Sequence, residues 1–182
     1  MFRTLITAFI LIFSSIQLAG GQAGSPEEGN TNGYMSVEAL SEVARRLDPN
    51  AKINGNLMQL SIQGVAVTIV ANEKANRMRA FSPFKTLDGV DGQAMYRMMQ
   101  ANFDSALDAR YAIARGHVIA VYIHPLKELQ RGQFISGIGQ VVNLVRTYGT
   151  AFTSGAVTYE GGDSNKLHQK LIEDLLKKGD KI

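Results

Sequence analysis

Between Leu57 and Phe84 apolar residues recur at every second position, and the breaks between alternating stretches are only a few residues long. Leu57, Gln59, Ser61 and Gln63 fall on one side of an extended chain, and Met58, Leu60 and Ile62 on the other. Gly64 allows a tight turn into residues 65–71 (VAVTIVA), a β-branched run suited to a strand. The polar segment at 72–76 (NEKAN) then turns the chain into a third alternating stretch at 77–84, in which Arg77, Arg79 and Phe81 oppose Met78, Ala80 and Ser82. Parallel strands need a crossover of a dozen or more residues. Links this short therefore dictate antiparallel hairpins, and a sheet with one apolar face needs another layer to cover it.

The flanking segments supply that layer. Ser36 can cap a helix to about Leu47, with Val37, Leu40, Val43, Ala44 and Leu47 at helical spacing before Asp48-Pro49-Asn50 ends it. A second helix is expected from Asp91 to about Leu107, with Met95, Met98, Met99, Phe103 and Ala106 on one stripe. Two further strands fit 109–114 and 118–124, turned at Arg115-Gly116. A long helix fits 131–148, and Asp163 or Ser164 can cap a last helix whose Leu167, Leu171, Ile172, Leu175 and Leu176 form an apolar stripe. The expected fold class is α+β, with an antiparallel sheet flanked by helices in the order α-βββ-α-ββ-α-α.

The first residues read differently. Arg3 precedes the apolar run 5–13 (LITAFILIF), and small residues follow, with cleavage possible after Ala19, Gly20 or Ala23. That is the pattern of a secretory signal peptide, and its apolar run is shorter than the ~20 residues that span a bilayer. The sequence Gln17-Leu18-Ala19-Gly20-Gly21 is like a lipoprotein signal with glycine in place of the cysteine, so no lipid attachment is expected. The expected organisation is a signal peptide at 1–23, a flexible linker at 24–33 and one α+β domain at 34–182. The expected location is periplasmic or secreted, with no stable membrane anchor after cleavage.

Among residues able to carry chemistry, the patterns exclude more than they suggest. The chain has no cysteine, hence no disulfide, thiolate nucleophile or sulfur-based zinc site. A formal charge of +3 is too small an excess for nucleic-acid binding, and Arg77 and Arg79 are expected on a solvated strand face. His117 and His124 are seven apart, an odd separation that sends them to opposite faces of a strand, and His168 has no histidine or carboxylate three or four residues away. No metal or cofactor is expected. Asp104 and Asp108 would share a side of a continuous helix, but Asp108 lies at its end beside Arg110, where a turn contact or ion pair accounts for it. Gly137-Ile138-Gly139 lies inside an apolar-periodic helix, with Val142 where a nucleotide fingerprint has its third glycine, and reads as close packing. Ser105, Ser136 and Ser154 sit in no nucleophile elbow. Asn102 falls on the apolar stripe of the second helix, where its amide must find partners; backbone anchoring is the first reading and a ligand contact the second. Met95, Met98 and Met99 are either core or an adaptable peptide-binding surface.

Several segments together resemble the bacterial YbjN-like family, whose fold is similar to the type III secretion chaperones. They are Asn76-Arg77-Met78-Arg79, Asn102-Phe103, the run from Ala106 to Ala112 (ALDARYA), His124-Pro125-Leu126 and Gln140-Val141-Val142-Asn143-Leu144. The resemblance covers about residues 37–155. It implies a helix-flanked, bent antiparallel sheet and binding of another protein or peptide segment without catalysis, through strand edges and apolar pockets. It also makes a homodimer a candidate state, with the last helix, outside the resemblance, a candidate dimerisation or docking element. The residues to follow for partner binding or structure are Asn102, Asp108, Arg110, Met95, Met98 and Met99. The expected function is an exported, non-enzymatic interaction or chaperone-like module. The rival reading is a small-ligand sensor or carrier with a pocket between sheet and helices, and a third is a hydrolase using Asp104, Asp108 or His124.

Overall fold

In the computed structural model the chain divides into residues 1–31 and residues 32–182. The structure describes residues 34–147 and 166–179, all within the second unit. The leader and linker expectations, Ser154 and the Asp163 or Ser164 cap therefore lie outside the described residues.

The elements run α1 (Val37–Leu47), β1 (Lys52–Asn54), β2 (Leu57–Ile62), β3 (Val65–Asn72), β4 (Arg77–Thr86), a 3-10 turn (Leu87–Gly89), α2 (Gly92–Asp104), β5 (Arg110–Ala114), β6 (His117–His124), α3 (Arg131–Thr147) and α4 (Lys166–Gly179). The six strands form one antiparallel sheet in the order β1-β2-β3-β4-β6-β5. The α+β class is as expected, and the order gains one short strand, β1. The second helix ends at Asp104 instead of Leu107, where the amides of Ser105 and Ala106 both turn back to the Ala101 carbonyl.

Local chemistry sets these bounds. Ser36 accepts the Ala39 amide at 3.2 Å and starts α1, and Asp91 accepts the Ala94 amide and starts α2. The β2–β3 and β5–β6 hairpins turn on Gln63-Gly64 and Arg115-Gly116, all four residues having positive φ. Such two-residue turns match the twist of the strands they join, and glycine takes the second position without a Cβ penalty. A register shift between Pro83 and Lys85 puts a bulge into β4.

The core lies on one face of the sheet. Met58, Leu60, Ile62, Val67, Ile69, Met78, Ala80, Val118, Ala120 and Tyr122 point into it, and α3 packs across β3, β4 and β6. Helix α3 is itself covered by α4, so Phe134, Ile135, Ile138, Val141 and Val142 are fully enclosed. Gly137 and Gly139 permit this two-sided packing. A Cβ at Gly137 would lie 2.8 Å from Tyr122 Cγ and closer still to Cδ1 and Cε1, and one at Gly139 would lie 2.8 Å from Ile172 Cγ1.

The last helix packs one face onto its own chain. Leu171 and Leu175 are buried, and α4 packs on α3 and α1. Lys178 donates to the Leu47 carbonyl at the end of α1, while Arg46 donates to the Gly179 carbonyl at the end of α4, 3.5 Å away. Each helix thus caps the carbonyl end of the other, where cations are favoured.

Candidate functional site

The opposite face of the sheet has no helix against it among the described residues. It is built by the odd-facing positions of the strands, brought together by register. Leu57, Val70, Arg79 and Ile123 form one row across β2, β3, β4 and β6. Gln59, Thr68, Phe81, Val121 and Arg110 form the next, and Pro83, Ile119 and Ala112 a third. Leu57 and Val70 are exposed, and Ile123 is 51% exposed. Val70, Arg77, Arg79 and Ile123 help to line a depression of about 290 Å3. Val121 and Ile119, in the second and third rows, are only 8% exposed, so the exposed large apolar side chains of these rows are Leu57, Val70 and Ile123.

The charge on this face has one sign. None of the six strands contains an aspartate or glutamate, whereas Lys52, Arg77, Arg79 and Arg110 all take outward positions. Arg110 is turned back onto the carbonyls of Leu107 and Ala109, leaving Arg77 and Arg79 as the cations beside the apolar rows. Arg77 donates to the neighbouring Asn76 carbonyl at 2.9 Å and lies near the Glu128 carboxylate, whereas Arg79 has no hydrogen-bond or ion-pair partner among the described residues.

Side chains bond the strand backbone at one point near each edge of the sheet. On β5, the Tyr111 amide donates to Asn102 Oδ1 at 2.7 Å and the Asn102 Nδ2 donates to the Tyr111 carbonyl at 3.0 Å. The carboxamide thereby occupies the place of a neighbouring strand. One step earlier, the amides of Asp108 and Ala109 both donate to Gln140 Oε1, at 2.7 and 3.0 Å. On β2, past the end of β1, the Ser61 amide donates to Asp48 Oδ2 at 2.8 Å. Asp48 also accepts the Asn50 amide, and these two bonds, helped by the nearby Lys178 charge and opposed by partial burial, hold its carboxyl below the usual value. Side-chain blocking of this sort suppresses strand addition, the mode the resemblance pointed to.

The singled-out residues therefore divide. Asn102 and Asp108 belong to this framework, and Arg110 folds onto its own backbone. The methionines do not share one stripe: Met98 is completely buried, Met95 is half-buried and Met99 is exposed. Phe103, assigned to the same stripe, is 81% exposed, and with Tyr96 and Met99 it lies on the outer side of α2. Helical spacing puts residues on an arc, but only the tertiary packing decides which part of the arc is covered. Asp104 ends α2, so the helix that would have aligned it with Asp108 stops short. His117 and His124 point to opposite faces of β6, and no cluster of three metal-ligating side chains occurs among the described residues.

Gln140, outside the set singled out for partner binding or structure, is a central positioning residue. It is 2% exposed, and besides accepting two amides its Nε2 donates to Asp108 Oδ2 at 3.3 Å and Ser136 Oγ at 3.1 Å. Its signal in the sequence was a polar side chain inside the apolar run from Ile138 to Val142. The network brings Asp108 and Ser136 beside Tyr122 and His124, where they line a cleft between the sheet and α3.

No family model matches the chain, and no curated protein matches it. Among solved structures, it is similar to a chain in the crystal structure of the Yersinia pestis type III secretion chaperone SycH in complex with a stable fragment of YscM2. That similarity has a TM-score of 0.45 and 17% identity over 59% of this chain and 98% of the other. A chain of the HopA1–SchA chaperone–effector complex gives a TM-score of 0.46 and 9% identity, over 60% and 91% of the two chains.

Proposed function

We propose that this chain is an exported, YbjN-like protein-interaction module with no catalytic role, which holds an acidic, apolar-rich segment of another protein against the open face of its sheet. The observation that carries the reading is the composition of that face. Leu57, Val70 and Ile123 stand exposed in one register row with Arg79 among them, on strands that contain no carboxylate. Exposed apolar side chains favour burial against a partner, and the unpaired Arg79 selects one that brings negative charge. With Asn102 and Asp48 on the sheet edges, binding across the face is favoured over binding as an added strand. Export rests on the leader pattern of Arg3, the apolar run and the small residues to Ala23.

Site-specific photocrosslinking in the native host tests both parts. A crosslinker at Ile123 should give discrete protein adducts that fade when Arg79 is changed to Glu, and one at Glu42 on exposed α1 should not. Absence of adducts from Ile123, or the same adducts from Glu42, would remove the face as the binding site. Intact-mass measurement on separated cell fractions tests export, which fails if the chain beginning at Met1 accumulates in the cytosol.

A further inference from the structure

The cleft between β6 and the start of α3 encloses about 310 Å3 and is lined by Asp108, Tyr122, His124, Gly132, Gln133 and Ser136. Tyr122 is 4% exposed, and its ring is pressed against the bare backbone of Gly137. The hydroxyl itself is not enclosed but opens onto the cleft. It has no hydrogen-bond partner among the described residues, whereas the Tyr111 hydroxyl donates to the Leu144 carbonyl at 2.8 Å. The unpartnered Tyr122 hydroxyl is directed into the cleft, close enough to Asp108 to feel its charge.

The groups around it are of two kinds. The first are acceptors. Asp108 presents its carboxylate, and His124 has Nδ1 2.8 Å from the Pro125 carbonyl. A carbonyl can only accept, so in the neutral ring Nδ1 carries the proton and Nε2 is left as an acceptor. The second are donors, close to Asp108 because Gln140 Nε2 bonds both Asp108 and Ser136. The bonding of α3 begins with the Phe134 amide donating to the Gln130 carbonyl, so the amides of Gly132 and Gln133 belong to the unpaired first turn. Ser136 Oγ accepts from Gln140, which leaves its own proton free to donate. Helix starts favour anions. Gln140, with every hydrogen-bonding position in use, fixes Asp108 and Ser136 relative to each other.

We propose that this cleft binds a small zwitterion of amino-acid size, with its N–H-bearing cation on Asp108 and His124, its carboxylate on Ser136 and the first turn of α3, and Tyr122 completing the contact. The cleft's volume is at the lower end of ligand pockets, which suits a molecule of that size. The site is separate from the open sheet face, because Tyr122 and His124 point to the opposite side of β6.

Calorimetric titration of the intact chain with each common amino acid, glycine betaine, acetate and methylammonium tests this. At least one amino acid should bind saturably below about 10 mM, while betaine, which has no N–H to offer Asp108, should bind about tenfold more weakly or not at all. Tyr122→Phe, Asp108→Asn and Ser136→Ala should each weaken binding by about tenfold with an unchanged far-UV circular dichroism spectrum. Because Asp108 is exposed and Ser136 is half-buried, those two variants keep the test open if Tyr122→Phe fails to fold. A cleft filled by solvent alone would show no amino acid binding in that range. That result, or equal binding of betaine, or wild-type affinity in the Asp108 and Ser136 variants, would overturn the proposal.

Discussion

Replacing Asn102 by Ala removes two hydrogen bonds to one edge residue, the Tyr111 amide to Oδ1 at 2.7 Å and Nδ2 to the Tyr111 carbonyl at 3.0 Å. A protein hydrogen bond contributes about 0.5–1.5 kcal/mol net, so the pair sets an expected loss of about 1–3 kcal/mol. Tyr111 is buried, which restricts the access of water to the vacated places and favours the upper part of that range. Alanine is the better helix former, but Asn102 lies near the end of α2, where that gain is a few tenths of a kcal/mol. Urea unfolding followed by circular dichroism gives the stability change, and amide exchange at Tyr111 gives a local reading that should accelerate beyond the global effect. Asn102→Asp separates geometry from charge: a carboxylate can still accept the Tyr111 amide but would face the Tyr111 carbonyl with no proton to share. It should therefore recover little of the loss at neutral pH. The reasoning fails if Asn102→Ala unfolds within about 0.5 kcal/mol of wild type and Tyr111 exchange is unchanged.

Gly137→Ala should destabilise by about 1–3 kcal/mol, because the added Cβ would meet the Tyr122 ring at Cγ as well as along its edge, an overlap that rotating the ring in place does not relieve. Helix propensity acts the other way by up to about 1 kcal/mol, so a neutral or stabilising result in a urea titration would show that the ring yields more than the packing suggests. Asp48 has its pKa lowered in the fold, so its contribution is present above its ordinary value of 3.8 and is lost as the pH falls through the folded value. Asp48→Asn should accordingly narrow the difference in urea midpoint between neutral pH and about pH 3. Burial pushes the Tyr122 hydroxyl up to about 12, with the Asp108 charge adding to the shift. Its stabilising effect is full below the ordinary value of 10.0 and is lost as the pH rises through 12, so Tyr122→Phe should flatten the alkaline limb of a stability profile.

How much of this could be read from the chain depended on the kind of order each element has. Strands β2 and β3 alternate strictly between exposed and buried positions, and their turns contain glycine where φ is positive, so residues and register were both legible. Strand β1 has three residues, too few for alternation to show, and exists because the turn at Gly55-Asn56 folds it onto β2. The extent of α2 was overestimated because Ala106 continues the apolar spacing, whereas the chain is pulled out of the helix by Gln140, a residue 32 positions beyond Asp108. The same long-range pairing hid the cleft. Asp108, Tyr122, His124 and Ser136 have no common spacing, and only the docking of α3 on β6 brings them together.

The segments that carry the family resemblance prove to be one another's partners. Asn76, with φ of 48°, accepts the Leu126 amide through its carbonyl and the Lys127 amide through Oδ1, and it donates to Glu128, joining the β3–β4 turn to the loop after His124. Asn102 holds Tyr111, Tyr111 holds Leu144, and Gln140 holds Asp108 and Ala109. Residues tied to each other in this way specify the frame, and a change in any of them should be felt first as stability. Specificity must then lie where side chains are held out from the frame without partners of their own. Among the described residues these include Leu57, Val70, Ile123 and Arg79 on the open face, and the Tyr122 hydroxyl in the cleft behind it. The two lie on opposite sides of β6, so Arg79→Glu should weaken the adducts formed from Ile123 while leaving amino-acid affinity intact, and Asp108→Asn should weaken amino-acid binding by about tenfold while leaving the adducts. If one substitution removed both, the face and the cleft would have to be parts of a single site, and the separation argued from strand alternation would be wrong.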